Sequence, residues 1–550
     1  MYLKNKHAYL LAFIGLSLLL LYPSYQYGIV TDFLNWIHRY QSGNFGDIIN
    51  CFNYPGLHQF FHLINYSFYL LAGTNHFTWY VLFAMLHGLN AYLVFKLSTK
   101  LLNHFKTPTR HELTALIIGI LFLIYPYNLE AVIWKACLHY LIVTFLMLNG
   151  LLLTVRYFRS PRTKLLIYIH LLFVLSLFTL ELSFSFPLIT LAFIIFQKYG
   201  LSKERFWSNI RLLFIPQVLI LAFYLLLTRL SLGSYIGHYG ADQHLILSSD
   251  LILGNAWKYF CKNICFSHFW TFNLKSTLYN SLGTVIVYGS MTLASLLILL
   301  VGLFKWKNIS SFIRLSGFQL VLFFIALSPI ITLFFSWVLL FENDRYGYFA
   351  SIFFLGSLVC LISGIKSAWI RYGLLISYSA LCLFFFVKVV TYAHQAGHLE
   401  KQLVQNFNFE IHEGEIFILG IPDNYQGLYL FRDYENQAAF LKKSLAFYEH
   451  KTPISKLIDV AQFNAMSPQD SIVVLLKDDG AFHVLFGQTR NWFWQKGIGL
   501  SSYETEDYKV EKKKGYYQLN IKDKKPNQLF IYPQGGKWKH MTWPDSIFIK

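Results

Sequence analysis

The sequence predicts an α-helical polytopic membrane protein with about eleven transmembrane helices and a small C-terminal α/β extramembrane domain. Three observations carry this. Of the 550 residues, 55% are hydrophobic and 13% charged, where soluble chains carry about a quarter charged. Apolar runs of about 15–24 residues recur between short polar loops, as expected of helices that satisfy their own backbone groups inside a bilayer. From about His394 onward the composition turns polar and charged. The formal net charge of +18 belongs with basic cytoplasmic loops. Its dispersal among those loops gives no reason to expect a nucleic-acid partner.

Spans are predicted at 8–22, 77–96, 113–126, 138–155, 165–180, 183–197, 212–230, 282–304, 317–340, 346–364 and 372–390. The first follows Lys4 and Lys6 and has no small-residue cleavage site after it, so it reads as a retained span. Basic clusters lie at Lys96–Arg110, Arg156–Lys164, Lys198–Arg211, Lys305–Arg314 and Lys366–Arg371, and two of the opposite loops are much poorer, with Arg39 alone between 23 and 76 and Lys135 alone near 127–137. That bias places the N-terminus in the cytoplasm and, after an odd number of crossings, the C-terminal domain outside. Both flanks of 165–197 are basic, so the chain must cross twice there, leaving Glu181 at an outer turn.

The division is 1–393 for the membrane domain and 394–550 for the outer one. Within the first outer loop, 23–76, the apolar segment Pro55–Gly73 is expected to lie along the membrane surface as an interfacial helix. A similar segment is expected at Asp250–Phe266, carrying Lys258 and Lys262. The outer domain shows strand-like runs at Glu415–Gly420, Ser471–Leu476 and Gln528–Tyr532, and a helix at Ala438–Tyr448. The basic runs at 512–514 and 522–525 read as solvated hairpin surface. No internal repeat is present. Six cysteines (51, 137, 261, 265, 360 and 382) show no CxxC spacing; a Cys51–Cys137 disulfide is left open.

Four stretches carry a resemblance. Tyr80-Val-Leu-Phe-Ala-Met-Leu-His87-Gly-Leu-Asn90 resembles a second-span pattern, and Tyr125-Pro126-Tyr-Asn-Leu-Glu130-Ala131-Val-Ile-Trp134 is similar to H-P-x-x-x-E-A-V-x-W. Leu180-Glu181-Leu-Ser aligns with a region usually written S-K-E, and Glu342-Asn-Asp-Arg345-Tyr346-Gly-Tyr348-Phe-Ala-Ser351 resembles E-R-Y-L-Y-L-P-S. Together they resemble the GT-C membrane glycosyltransferases, closest to the protein O-mannosyltransferases that bear tetratricopeptide repeats and their bacterial relatives, without the repeats.

The resemblance covers about residues 25–365. It implies a glycosyltransferase of the bacterial inner membrane moving a sugar from a polyprenyl-phosphate carrier to a lipid-linked glycan or protein acceptor at the outer face. The chain departs from the pattern in several places. Thr31 stands where a second acid is common, Leu180 replaces the lysine, and Tyr125 replaces the histidine. Near the interfacial helix, His58 and His62 are the candidates where a phosphate-binding arginine is expected. A lipid-glycan flippase and a catalytically inactive scaffold are the competing readings.

Such a transfer needs a base for the acceptor hydroxyl and positive charge on the departing phosphate, which is already a stable anion near neutral pH. Asp32, in the loop just after the first span, is the candidate catalytic base, with a helix cap as the alternative role. Asp47 is the fallback. One catalytic carboxylate and direct displacement would invert the anomeric centre. Arg345 is the candidate phosphate clamp, with Tyr346, Tyr348 and Lys135 as further donor-binding candidates; pairing of Arg345 with Glu342 or Asp344 is the alternative. Glu130 and Glu181 either bind acceptor or pair with Lys135 or Arg345. His58 and His62 share a helix face at i, i+4, but no third metal ligand is evident. The first outer loop has no DxD motif or Gly-rich phosphate loop, so neither a metal or other cofactor nor a nucleotide-sugar donor is expected.

Overall fold

A computed structural model describes residues 6–46, 56–105, 107, 111–197, 202–236, 248–281, 310–333, 335, 340–409, 412–432, 437–448, 455–486, 492–494, 497 and 499–544. The chain is mostly helical up to Gln405 and strand-rich beyond it. Apolar helices occupy Lys6–Leu21, His76–His104, His111–Leu123, Leu138–Arg159, Thr163–Leu177, Phe186–Gln197, Ile215–Leu232, Ser311–Leu327, Ala350–Ser363 and Ala368–Gln405. Each falls on a predicted span. The predicted span 282–304 lies outside the described residues.

The expected count of eleven is not confirmed by helix length. Among the described residues five helices are long and apolar enough to cross a bilayer, or six if the bent pair His111–Leu123 and Pro126–Ile133 is one span. The other apolar helices have 10–17 residues, and 17 residues reach only about 26 Å of a hydrocarbon core about 30 Å thick. Within the predicted span 317–340 the described helix ends at Leu327, where Ser328 and Pro329 turn the chain. The predicted span 346–364 likewise begins late, at Ala350, after a short 3-10 turn over Asp344–Gly347.

The helices pack through small residues and aromatic rings. A Cβ on Gly88 would lie 2.8 Å from the backbone of Ile14, so the first helix and His76–His104 approach as closely as only glycine permits. The outer helices instead present Leu219, Phe223, Leu226 and Leu230, or Ile376, Leu383, Phe384 and Val387, to their surroundings. Apolar side chains exposed in such rows suit lipid and not water. Gln59–Ala72 and Ser249–Cys265 are helices as the sequence predicts for its two interfacial segments.

The 38-residue helix Ala368–Gln405 is about 57 Å long, nearly twice the hydrocarbon thickness, and its last turns stand among the strands. Trp538 Nε1 donates to Leu403 O at 2.7 Å, and Tyr425 OH donates to Gln395 Oε1 at 2.7 Å. Among the described residues three sheets follow. One joins Glu415–Ile418 in parallel to Lys456–Asp459 and to Leu529–Gln534, with Lys537–Thr542 closing it antiparallel. A five-stranded antiparallel sheet runs from Ile472–Leu476 at one edge to Ser502–Glu504 at the other. A smaller sheet is built around Ile421–Tyr425 and Gln462–Ala465. The helix Gln437–Phe447 packs back on Asp32–Ser42.

Candidate functional site

The turns between apolar helices meet at the end of the bundle where the strand-rich part docks. Gly28–Thr31 runs against Ile133–Lys135: Lys135 N donates to Gly28 O at 2.9 Å, and Trp134 Nε1 to Val30 O at 3.3 Å. Gly28 has φ +104°, and a Cβ there would sit 2.0 Å from Ile133 O, so only glycine fits. Three residues on, Thr31 holds φ +54° with a buried hydroxyl that has no hydrogen-bond partner among the described residues. A threonine forced into that region costs about 1–3 kcal/mol and persists only where its surroundings over-determine it. The strained turn delivers Asp32, exposed, as the first residue of the helix Asp32–Ser42.

Opposite lies the turn 342–348, whose Glu342, Asp344, Arg345 and Tyr348 side chains each meet a different part of the chain. Arg345 donates its backbone N–H to Glu130 Oε2 at 2.7 Å, and its guanidinium also pairs with Glu130. The guanidinium lies 5.1 Å from the Trp134 ring centroid and 4.7 Å from that of Tyr346, whose hydroxyl accepts from Nη2 at 3.3 Å. Asp344 faces the other way and pairs with Lys262 and, at 3.1 Å, with His268 Nδ1. Glu342 reaches Arg432 of the strand-rich part at 3.6 Å. Tyr348 is fully buried, its hydroxyl 2.8 Å from His87 Nδ1 and 3.4 Å from Asn90 Nδ2.

Cys137 marks where these parts converge. Asp32, Glu130, Lys135 and Arg345 all lie within electrostatic reach of its thiol, although they come from three separate stretches of sequence. Cys137 is buried, with its thiol free among the described residues; Cys51, its candidate disulfide partner, lies outside the described residues. Lys135 is buried, with its ammonium 4.9 Å from the Phe83 ring centroid. Tyr429 roofs the cluster: its ring meets Trp134 at 5.0 Å, its hydroxyl donates to Phe341 O at 2.6 Å, and its carbonyl accepts from Tyr27 OH at 2.9 Å.

On the far side of the 342–348 turn is a separate cavity of about 560 Å³. Its lining includes His268, Trp270, Lys275, Lys388, Asn424 and Asn464.

No protein-family model matches the chain, and no curated protein matches it. Solved structures similar to it include ArnT from Cupriavidus metallidurans in the apo state, at 10% identity over 81% of this chain and 85% of that one, with a TM-score of 0.38. ArnT from Cupriavidus metallidurans bound to undecaprenyl phosphate is similar at 11% identity over 86% and 96%, also with a TM-score of 0.38.

The remaining candidates fall in two places. His58 Nε2 lies 3.1 Å from Glu181 Oε1, both largely buried, which ties the start of the helix Gln59–Ala72 to the turn at 181. His62 packs its ring on Phe61 and Trp36, and burial lowers it to about 3, so the imidazole there is neutral. Among the described residues no three His, Cys, Asp or Glu side chains are arranged to hold a metal. Asp47 lies outside the described residues.

Several contributors escape sequence reasoning. Nothing in the sequence marks Thr31 as strained, or Gly28 as the contact point for Ile133. Lys262 and Asp344 are each visible, but 82 residues of separation hide their pairing. His87 and Asn90 stand in a quoted motif and turn out to hold Tyr348, where a donor-binding hydroxyl is the sequence expectation.

Proposed function

We propose that this chain is a membrane glycosyltransferase of the GT-C type, moving a sugar from a polyprenyl-phosphate carrier to a lipid-linked glycan or protein acceptor at the outer membrane face. The observation that carries the reading is the buried Glu130–Arg345 pair stacked on Trp134, whose indole N–H and the neighbouring Lys135 N–H bind the Gly28–Val30 turn that leads into Asp32. Asp32 takes the proton from the acceptor hydroxyl as its oxygen bonds to the anomeric carbon. The bond from that carbon to the phosphate oxygen breaks, and the phosphate leaves with the electron pair. Positive charge from Arg345, with Lys135 behind it, favours that departure. One displacement inverts the anomeric centre.

Glu130 in this scheme is a positioning residue: it holds Arg345 through two contacts, one from the backbone N–H and one from the guanidinium. Tyr346 steadies the same group, while Tyr348 anchors the turn from below. Glu181 and His58 hold the interfacial helix beside the site. The scheme requires no metal. A second reading, a catalytically inactive scaffold, is favoured by one observation, that Glu130 already neutralises Arg345.

Transfer of radiolabelled sugar from a polyprenyl-phosphate carrier by the purified protein separates the two. The parent should transfer, and Asp32→Asn should lose activity by at least about 100-fold at unchanged yield and folding. Turnover by Asp32→Asn close to the parent's removes Asp32 from the mechanism, and absence of transfer by both favours the scaffold.

A further inference from the structure

The strand-rich domain holds a groove of about 270 Å³ that plays no part in the scheme above. It lies between two outer strands, Lys456–Asp459 of one sheet and Ser502–Glu504 of another. Tyr508 closes the floor by donating its hydroxyl to Asp459 O at 2.9 Å. Across one end Lys456 Nζ meets Asp507 Oδ1 at 2.8 Å. Lys456 of that pair sits on an outer strand, where a charge disfavours the addition of another strand.

The lining is unusual in three respects. First, Asp459, Glu506 and Asp507 face a single lysine, Lys456, so the rim is acidic on a chain whose net charge is +18. Second, Gln462 Nε2 donates to Asp459 Oδ2 at 3.1 Å, which sets an amide and a carboxylate side by side. Third, Trp494 is 3% exposed and its indole N–H has no hydrogen-bond partner among the described residues. A buried donor left unmet costs about 1–3 kcal/mol; a ligand oxygen accepting from it removes that cost. Tyr503 adds a half-buried aromatic wall.

These features describe one ligand chemistry. Paired carboxylate and amide groups suit neighbouring hydroxyls, an aromatic wall suits the C–H face of a pyranose, and an indole N–H suits a ring or hydroxyl oxygen. The volume falls below the roughly 300 Å³ at which drug-sized pockets begin, which matches about one sugar ring. The acidic rim repels phosphate and welcomes an ammonium. We propose that this groove binds a neutral or amino-bearing sugar unit, with Trp494 donating to it and Asp459, Gln462 and Asp507 meeting its hydroxyls or ammonium. Its assignment to the acceptor glycan rests on the transferase reading; the binding itself does not.

The test uses the full-length protein in lipid nanodiscs, because glycoside detergents would compete for the groove. Titration calorimetry with glucosamine, glucose and glucose 6-phosphate should show saturable binding of the first two at millimolar concentration and none of the third. Trp494→Phe keeps the ring and removes the N–H, and should weaken binding by about three- to tenfold. Asp507→Asn, on the solvent-facing rim, should weaken glucosamine more than glucose. Three results each overturn the proposal: no saturable binding of glucosamine or glucose, unchanged binding in both variants, or equal binding of glucose 6-phosphate. Asp32→Asn should bind sugar as the parent does; loss of transfer with binding intact keeps the two readings distinguishable.

Discussion

Replacing Glu130 by alanine, Arg345 by alanine, and both together tests the joint that orients the proposed phosphate clamp. Glu130 is fully buried and accepts two contacts from Arg345, one from the backbone N–H at 2.7 Å and one from the guanidinium. Removing one partner of a buried pair strands the other charge and costs about 3–5 kcal/mol. Two features pull both single losses toward the lower figure. The Arg345 side chain is 15% exposed, so water reaches it once Glu130 is gone; and a stranded Glu130 can neutralise itself by taking a proton. Each single variant should therefore lose about 3 kcal/mol, and the double variant less than the sum by at least about 1 kcal/mol. The assay is equilibrium unfolding of the purified protein in lipid micelles with increasing SDS. Losses that add within about 0.5 kcal/mol would show that the pair is not coupled, and that Glu130 does not hold Arg345 in place.

Two further outcomes follow from the docking of the strand-rich part. Lys443 Nζ donates to Asn35 Oδ1 at 2.5 Å, on the helix that begins with Asp32. Lys443→Ala should raise amide hydrogen exchange over residues 32–42 by about 10- to 100-fold, the effect of losing about 1.5–3 kcal/mol of charge-assisted hydrogen bonding; unchanged exchange there would mean that the contact bears no load. Glu400, beyond the predicted span 372–390, is fully buried, and burial pushes its carboxyl up to about 8, with the Ser444 hydroxyl offsetting only part of the effect. The folded chain thus holds a proton that the unfolded chain releases near 4.3. Stability from this group is complete below that value, falls as pH rises toward 8 and is flat above it. Glu400→Gln is neutral throughout, so its melting temperature should exceed the parent's at pH 9 and match it near pH 4; parallel pH curves would show that Glu400 is ionised in the fold.

Much of the membrane part was legible because a bilayer leaves few options. Apolar runs read as helices, and each predicted span in the described residues coincides with one. Their lengths were less legible, since Pro329 and the 3-10 turn at Asp344–Gly347 cut two of them short where hydropathy alone continues. The strand at Leu529–Gln534 and the helix at Gln437–Phe447 followed from alternation and propensity. Sheet order did not, because one of the two partners of Glu415–Ile418 is more than a hundred residues away. For the site, chemistry was legible and pairing was not. Glu130 and Arg345 stand out as ionisable residues beside apolar runs, yet 215 residues separate them. Gly28 and Thr31 could not be read at all, since their backbone angles are imposed by Ile133 and Trp134 from elsewhere in the chain.

The most direct measurement is an electron cryomicroscopy map of the purified protein in nanodiscs with polyprenyl phosphate. The expected map places the phosphate within hydrogen-bond reach of the Arg345 guanidinium, on the side of the 342–348 turn that faces Asp32. Phosphate density instead among His268, Lys275 and Lys388, on the opposite side of that turn, would leave Asp32 away from the reacting carbon and contradict the proposed chemistry.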